Sequence, residues 1–255
     1  MTTITASSTS ISHLPNSIKT AASPSQHRDV TFTTARLAFS AMLPTDALAL
    51  QELRKDPAVM QWSRQGRPDE TVEETEAWIR KATGLSEEEA SATSKERKET
   101  EKKDKETFRG IVFVVRERGQ TREGEGQQEG EEVDERIIAI VGVREEASLT
   151  VPEKRQYELG YMFVARAWGK GYASEAVRGI VPWWFEYLEA LSSDEYGRDL
   201  EIVDKDSMYA VVAKTNSASM RVMDKCGFRV NGEAEDDERG TMLAEFCISR
   251  ADCIV

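Results

Sequence analysis

The sequence predicts a mixed α/β domain, and three observations carry that prediction. The run Tyr157-Glu158-Leu159-Gly160-Tyr161-Met162-Phe163-Val164 is apolar and aromatic-rich, as a strand is, and passes at once into a glycine-punctuated turn, Arg166 to Gly171, that opens a helix from Tyr172. A second unit of the same kind follows: the short apolar run Met208 to Ala213, then a helix capped by Asn216 and ended by Gly227-Phe228. Earlier in the chain, helical patterns come before several further strand-like runs, and this order is that of a mixed α/β domain.

A strand, a tight loop and a helix N-terminus together make an anion site. Gly169 and Gly171 let backbone approach a ligand without Cβ interference, and first-turn N–H groups have no intrahelical partner, so they can donate to phosphate oxygens. A nucleotide P-loop needs Ser or Thr after Gly-Lys, whereas Gly169-Lys170 is followed by Gly171. A dinucleotide fingerprint belongs in a βαβ unit near the start of its chain, and this loop comes late. What fits is Arg-x-x-Gly-x-Gly from Arg166 to Gly171, with Ala173 closing the turn. It resembles the pyrophosphate-binding loop of the GCN5-related N-acetyltransferase (GNAT) family; an ordinary strand-to-helix turn is the lesser alternative for so short a motif. The stretch Asn216 to Phe228 resembles the same family's other signature, and the two stand in the family's order.

Taken from its start, the chain has 255 residues, 39% of them hydrophobic, enough for one sizeable core or two small ones. No apolar run approaches the length of a membrane helix, and a net charge of -12 argues against a nucleic-acid surface. Residues 1–28 are Ser- and Thr-rich and free of acids, which predicts a disordered tail. A mitochondrial presequence shares that acid-poor composition but wants several arginines. Both histidines, His13 and His27, fall in this tail, so the remainder can build no histidine triad, dyad or zinc site. The three cysteines form no Cys-x-x-Cys pair and suit a reduced, cytoplasmic protein without a metal.

Thr34 to Ala41 alternates as a first strand. A helix from Leu43-Pro44-Thr45-Asp46 carries Leu48, Leu50 and Leu53 and ends at Asp56-Pro57. Thr71-Val72-Glu73-Glu74 is a capping box for a second helix with Trp78 and Ile79. Ala35-Arg36-Leu37, the Pro-Thr-Asp-Ala helix start and Asp56 to Met60 resemble the RimJ/RimL-like branch of the family. There the segment between the first two helices lines the acceptor side, which makes Trp62, Arg64 and Arg67 candidates for acceptor recognition. Phe108 to Arg116 and Ile137 to Arg144 read as antiparallel partners. Charged insertions are expected at about 86–106, 117–135 and 192–206, inside a single domain over 29–255. A stripe of Ala173, Val177, Ile180, Val181, Trp184 and Leu188 predicts a helix packed on the sheet, with a kink at Pro182. Two last strands flank an acidic turn, Glu233 to Gly240.

The resemblance implies the GNAT acyl-CoA N-acyltransferase fold, a twisted, mostly antiparallel sheet with helices on both faces. It implies an enzyme that moves an acetyl group from acetyl-CoA directly to a primary amine, either a protein N-terminal α-amine or a small-molecule amine. A catalytically idle acyl-CoA-binding interaction module is the alternative. The implied cofactor contacts are Phe163 and Val164 at a strand splayed from its neighbour, Arg166, Gly169, Lys170, Gly171, Tyr172, Ala173 and Ser174 at the diphosphate, and Asn216 and Ser219 near the pantetheine end. With no histidine in the core, the base is a carboxylate, a tyrosine, water or nothing. Glu158 is chosen because a carboxylate inside that strand is otherwise out of place. Many family members protonate the departing thiolate with a tyrosine in the last helix; Met223 stands there, which leaves Ser219 as the donor. The acceptor's identity and the oligomeric state are not written in the sequence.

Overall fold

Alternating side chains sort the strands onto two faces of one sheet. The computed structural model describes residues 30–84, 110–118, 136–192, 204–236 and 239–253. The tail 1–28 and nearly all of the three expected insertions lie outside these residues. The strands are β1 (Thr31–Thr33), β2 (Leu37–Ala41), β3 (Gly110–Glu117), β4 (Ile137–Ala147), β5 (Arg155–Phe163), β6 (Ser207–Ala213), β7 (Arg229–Asp236) and β8 (Thr241–Ser249). They form one sheet in the order β1-β2-β3-β4-β5-β6-β8-β7. Every neighbouring pair is antiparallel except β5 and β6, which run parallel. The fold is the mixed, mostly antiparallel sheet with helices on both faces that the resemblance implied.

One face carries Phe32, Phe39, Phe113 and Tyr157. Against it lies α4 (Tyr172–Ser192), whose Trp183 stacks on Phe32 with ring centroids 5.2 Å apart and whose Trp184 meets Tyr157 edge-on at 5.0 Å. Val177, Ile180, Val181, Trp184 and Leu188 are buried as the stripe predicts. The helix continues through Pro182, which sits on its exposed side. Beside it, α5 (Ser217–Lys225) begins where the Asn216 side chain accepts from Ser219 N at 3.1 Å, and Gly227 follows at φ +85°.

The other face carries Ser40 and Arg116, whose guanidinium reaches Ser40 Oγ and Asp46. Over this face lie α1 (Gln51–Arg54), α2 (Pro57–Met60) and α3 (Val72–Thr83). The single helix expected from Leu43 is instead a 3₁₀ turn at Pro44–Asp46, a tight stretch in which Gln51 N bonds Leu48 O, and then α1. Asp56 accepts from Ala58 N, so a new helix, α2, starts at Pro57. The expected first strand is likewise two, β1 and β2. At α3 only half of the capping box forms: Thr71 accepts from Glu74 N, while the Glu74 carboxylate turns back to Glu70 N.

A buried ion pair fixes the loop between α2 and α3. Arg54 is 1% exposed; its Nε and Nη2 donate to Asp69 at 2.8 and 2.9 Å, and the guanidinium lies 4.2 Å over the Trp78 ring. Gln65 and Thr75 also donate to Asp69. Burial pushes the Asp69 carboxyl up, but these donors outweigh it and hold the group below the usual carboxylate range. Asp69→Asn would leave the Arg54 charge buried and unpaired, and we expect a loss of about 3–5 kcal/mol in denaturant unfolding at neutral pH. A folded-state pKa below the unfolded one gives stability that is lost as pH falls through the folded value. The gap between wild type and variant should therefore narrow on acidification.

Candidate active site

Strands β5 and β6 pair at a single position, Glu158 opposite Tyr209, and then part. On its other side β5 stays bonded to β4 as far as Val164, whose N–H donates to Ile138 O at 2.9 Å. Hydrogen-bonding groups alternate sides along a strand, so the groups of Tyr161 and Phe163 are the ones that face the gap. This corrects one expected contact: the Val164 N–H is already committed within the sheet. The Phe163 carbonyl is also occupied, by Trp168 Nε1 at 2.8 Å.

The glycine loop closes the end of this gap. Gly169 and Gly171 take φ of +73° and +81°, which L side chains rarely adopt. A Cβ built on Gly169 would meet nothing within 4 Å, and one on Gly171 only Arg36 Nη2 at 3.6 Å. The loop therefore faces open space, with the first turn of α4 behind it. Residues Gly169 to Ser174 thus combine open backbone with a helix N-terminus. Lys170 is exposed, and Ala173 and Ser174 stand in that first turn. Tyr172 is buried, with its hydroxyl on Glu117 and Arg36 over its ring. Arg166 is turned onto Glu52 at 2.7 Å and Ile137 O, so its guanidinium is engaged there.

Glu158 projects from the sheet face opposite α4. Its side chain is 11% exposed, and its closest ion-pair partner is Arg64 Nη2 at 3.4 Å. Desolvation raises the carboxyl above its ordinary pKa; Arg64 and Arg144 pull it down, while Glu146 and Glu245 push it up. Arg64, 69% exposed on the α2–α3 loop, also reaches Glu146 at 3.3 Å. That loop is tied to the β7–β8 turn, where Arg239 donates to Ser63 O at 2.8 Å. Two residues beyond Glu158, Gly160 is exposed in mid-sheet, and a Cβ there would touch nothing within 4 Å. Together these leave a hollow beside the carboxylate.

Of the acceptor candidates, Arg64 is brought to Glu158. Trp62 is 42% exposed on the same loop. Arg67 is drawn away to Glu74 and Pro68 O at the start of α3. On the α5 side of β5, the Tyr161 hydroxyl is buried without a hydrogen-bond partner among the described residues, next to Ser219. Burial pushes this phenol up to about 12, with Ser219 pulling the other way. Sequence reasoning missed Tyr161, and it missed Glu245. The latter is fully buried on β8 and accepts from Ser148, Leu149 N, Thr150, Gln156 and Asn231 at 2.7 to 3.2 Å. Among the described residues no group of His, Cys, Asp or Glu is arranged to hold a metal ion.

A family model for the acetyltransferase (GNAT) domain matches residues 36–229. The chain belongs to this family. A curated relative, the uncharacterized protein YkkB of Bacillus subtilis (strain 168), is 36% identical over 70 residues, a stretch that spans 28% of this chain and 32% of that protein. Among solved structures, a GNAT-family acetyltransferase from Bacillus anthracis aligns at TM-score 0.52 and 18% identity, covering 86% of this chain and 98% of that one. A ribosomal-protein-S5-alanine acetyltransferase from Vibrio fischeri aligns at 0.53 and 17%, covering 89% and 100%. AAC(6')-Ib, solved with ribostamycin and coenzyme A, aligns at 0.50 and 13%, covering 85% and 94%. At these identities the structural likeness establishes the fold. Among the described residues of this GNAT chain no helix is long and apolar enough to cross a membrane.

Placing an indole at the loop tests its openness to ligand. Gly171→Trp should abolish the thermal-shift response to millimolar acetyl-CoA that the wild type gives; an undiminished response would take the loop out of the binding site.

Proposed function

We propose that this chain transfers an acetyl group from acetyl-CoA to a primary amine in a ternary complex, with Glu158 as the base. The observation that carries this reading is the placement of Glu158, a largely buried carboxylate beside the hollow over Gly160, at the one point where β5 still touches β6. Acetyl-CoA supplies an acyl group already activated as a thioester. The protein has to align an uncharged amine with it, stabilise an oxyanion and move two protons. A β5 N–H facing the gap is oriented to donate to the carbonyl oxygen. Glu158 takes a proton from the acceptor ammonium, directly or through water, and the upward shift of its pKa makes it a stronger base. The hydroxyls of Ser219 and Tyr161, on the α5 side of β5, serve as hydrogen-bond donors to the departing thiolate. Gly169 to Ser174 hold the diphosphate through the backbone, and Asn216 fixes the start of the helix that bears Ser219.

The acceptor side is the hollow framed by Arg64, Trp62, Glu146 and Glu158. Two kinds of amine fit this reading, a protein N-terminal α-amine and a small-molecule amine. The fold neighbours include one protein named for ribosomal-protein-S5 alanine and another solved in complex with ribostamycin. A thiol-release assay over unblocked peptides and small polyamines with acetyl-CoA decides between them. Amine-dependent release supports the enzyme, and donor binding without release of thiol by any amine would support the idle module.

Two substitutions test the base. Glu158→Gln should lower kcat by about 10²–10⁴-fold with little change in acetyl-CoA affinity. Arg64→Ala removes a positive charge that favours the ionised carboxylate, so the acid limb of the kcat/KM profile should move to higher pH. An unmoved limb would mean that the titrating group is not Glu158.

A further inference from the structure

Beside the glycine loop lies a cleft of about 660 Å³ between the β1–β2 turn, the first two turns of α4 and the end of α5. Its lining includes Arg36, Arg178 and Lys225, with Glu175 as the single carboxylate. Glu175 is already engaged: it accepts from Thr34 Oγ1 at 2.6 Å and from Arg36 N and Nε at 2.7 Å. The cleft thus holds two positive charges in excess, on a chain whose net charge is -12. Lys225 Nζ has no hydrogen-bond or ion-pair partner among the described residues. Arg178 spends Nη2 on Lys225 O at 2.7 Å, and Arg36 Nη2 faces the space over Gly171. Three cations around an open cleft with one carboxylate among them, itself taken up by Arg36, leave a site for a multiply charged ligand group.

The position of the cleft selects the group. Arg178 follows Ser174 by four residues, so it stands just over one turn, about 6 Å, along α4 from the backbone donors assigned to the diphosphate. Coenzyme A carries a third phosphoryl group on the ribose that is joined to its diphosphate. We propose that Arg178 and Lys225 bind the ribose 3′-phosphate of the donor, with Arg36 as the wall of the cleft, and that this contact makes the protein select 3′-phosphorylated coenzyme over its dephospho form. The proposal rests on the acetyl-CoA reading above. It adds a recognition element that neither the glycine loop nor the gap between β5 and β6 supplies. Charge-assisted bonds to phosphate are strong and sensitive to salt.

Calorimetry of the full chain with coenzyme A and with dephospho-coenzyme A tests this. The wild type should prefer coenzyme A by about tenfold or more, a preference that shrinks with added salt. Lys225→Ala removes a side chain that bonds no other part of the fold, and Arg178→Gln removes the second cation. Each should cut the preference severalfold, and the double variant should bind both ligands alike, with affinity for the dephospho form unchanged. Equal wild-type affinity for the two ligands, or a preference that survives in the double variant, would overturn the 3′-phosphate site and leave the acetyl-CoA reading standing. Absence of wild-type binding to either ligand would overturn both.

Discussion

Two parallel strands that meet at one residue pair and then part leave backbone groups without a sheet partner. Buried amides and carbonyls are costly to leave unpaired, so a gap of this kind has to be filled by a ligand or by water. In this chain the gap opens just past Glu158 and Tyr209, and the rest of the site follows from it. The glycine loop sits at the open end of β5, Glu158 stands at the closed end, and α5 covers one flank. The β7–β8 turn holds the α2–α3 loop through Arg239. The sheet order makes this possible: β8 pairs with β6 on its far side, so β6 is held in place without the support of β5 along most of its length.

Charge is the second constraint. The sheet face opposite α4 gathers Glu146, Glu158 and the buried Glu245, and the last two are handled differently. Glu245 is satisfied by five donors and is held below the ordinary carboxylate range despite its burial. Glu158 has one long, half-open ion pair and is held above that range. Two carboxylates on one sheet face, on β5 and β8 with β6 between them, are thus shifted in opposite directions, Glu245 down by its donors and Glu158 up by desolvation. Arg64 reaches both Glu146 and Glu158 from an exposed position on a loop that is anchored through Gln65 and the Arg54 and Asp69 pair.

The local chemistry of the site was legible because it is local. Gly169 and Gly171 need positive φ, Asn216 caps α5, Gly227 ends it, and each of these rules acts within a few residues. Glu158 was found by a rule that compares a residue with its neighbours, a carboxylate in an apolar strand. The same rule applied to Met242 to Ile248 points to Glu245, so that residue was readable and missed. Other features depend on contacts across the chain. Arg54 and Asp69 are 15 residues apart and join only when α1 meets the loop before α3. The breaking of the expected helix after Leu43, the loss of the Val164 N–H to β4 and the turning of Arg67 to Glu74 are likewise tertiary outcomes. The cleft of Arg36, Arg178 and Lys225 draws on three separate segments, and no spacing rule brings them together.

Amide hydrogen exchange measured with and without acetyl-CoA bears most directly on the parted strands. Donor binding should slow exchange at Tyr161, Phe163 and the amides of residues 169–174, and leave the amides of α3, remote from the gap, at their free-protein rates. Protection spread elsewhere, with the β5 amides still exchanging as in the free protein, would contradict the account at its root.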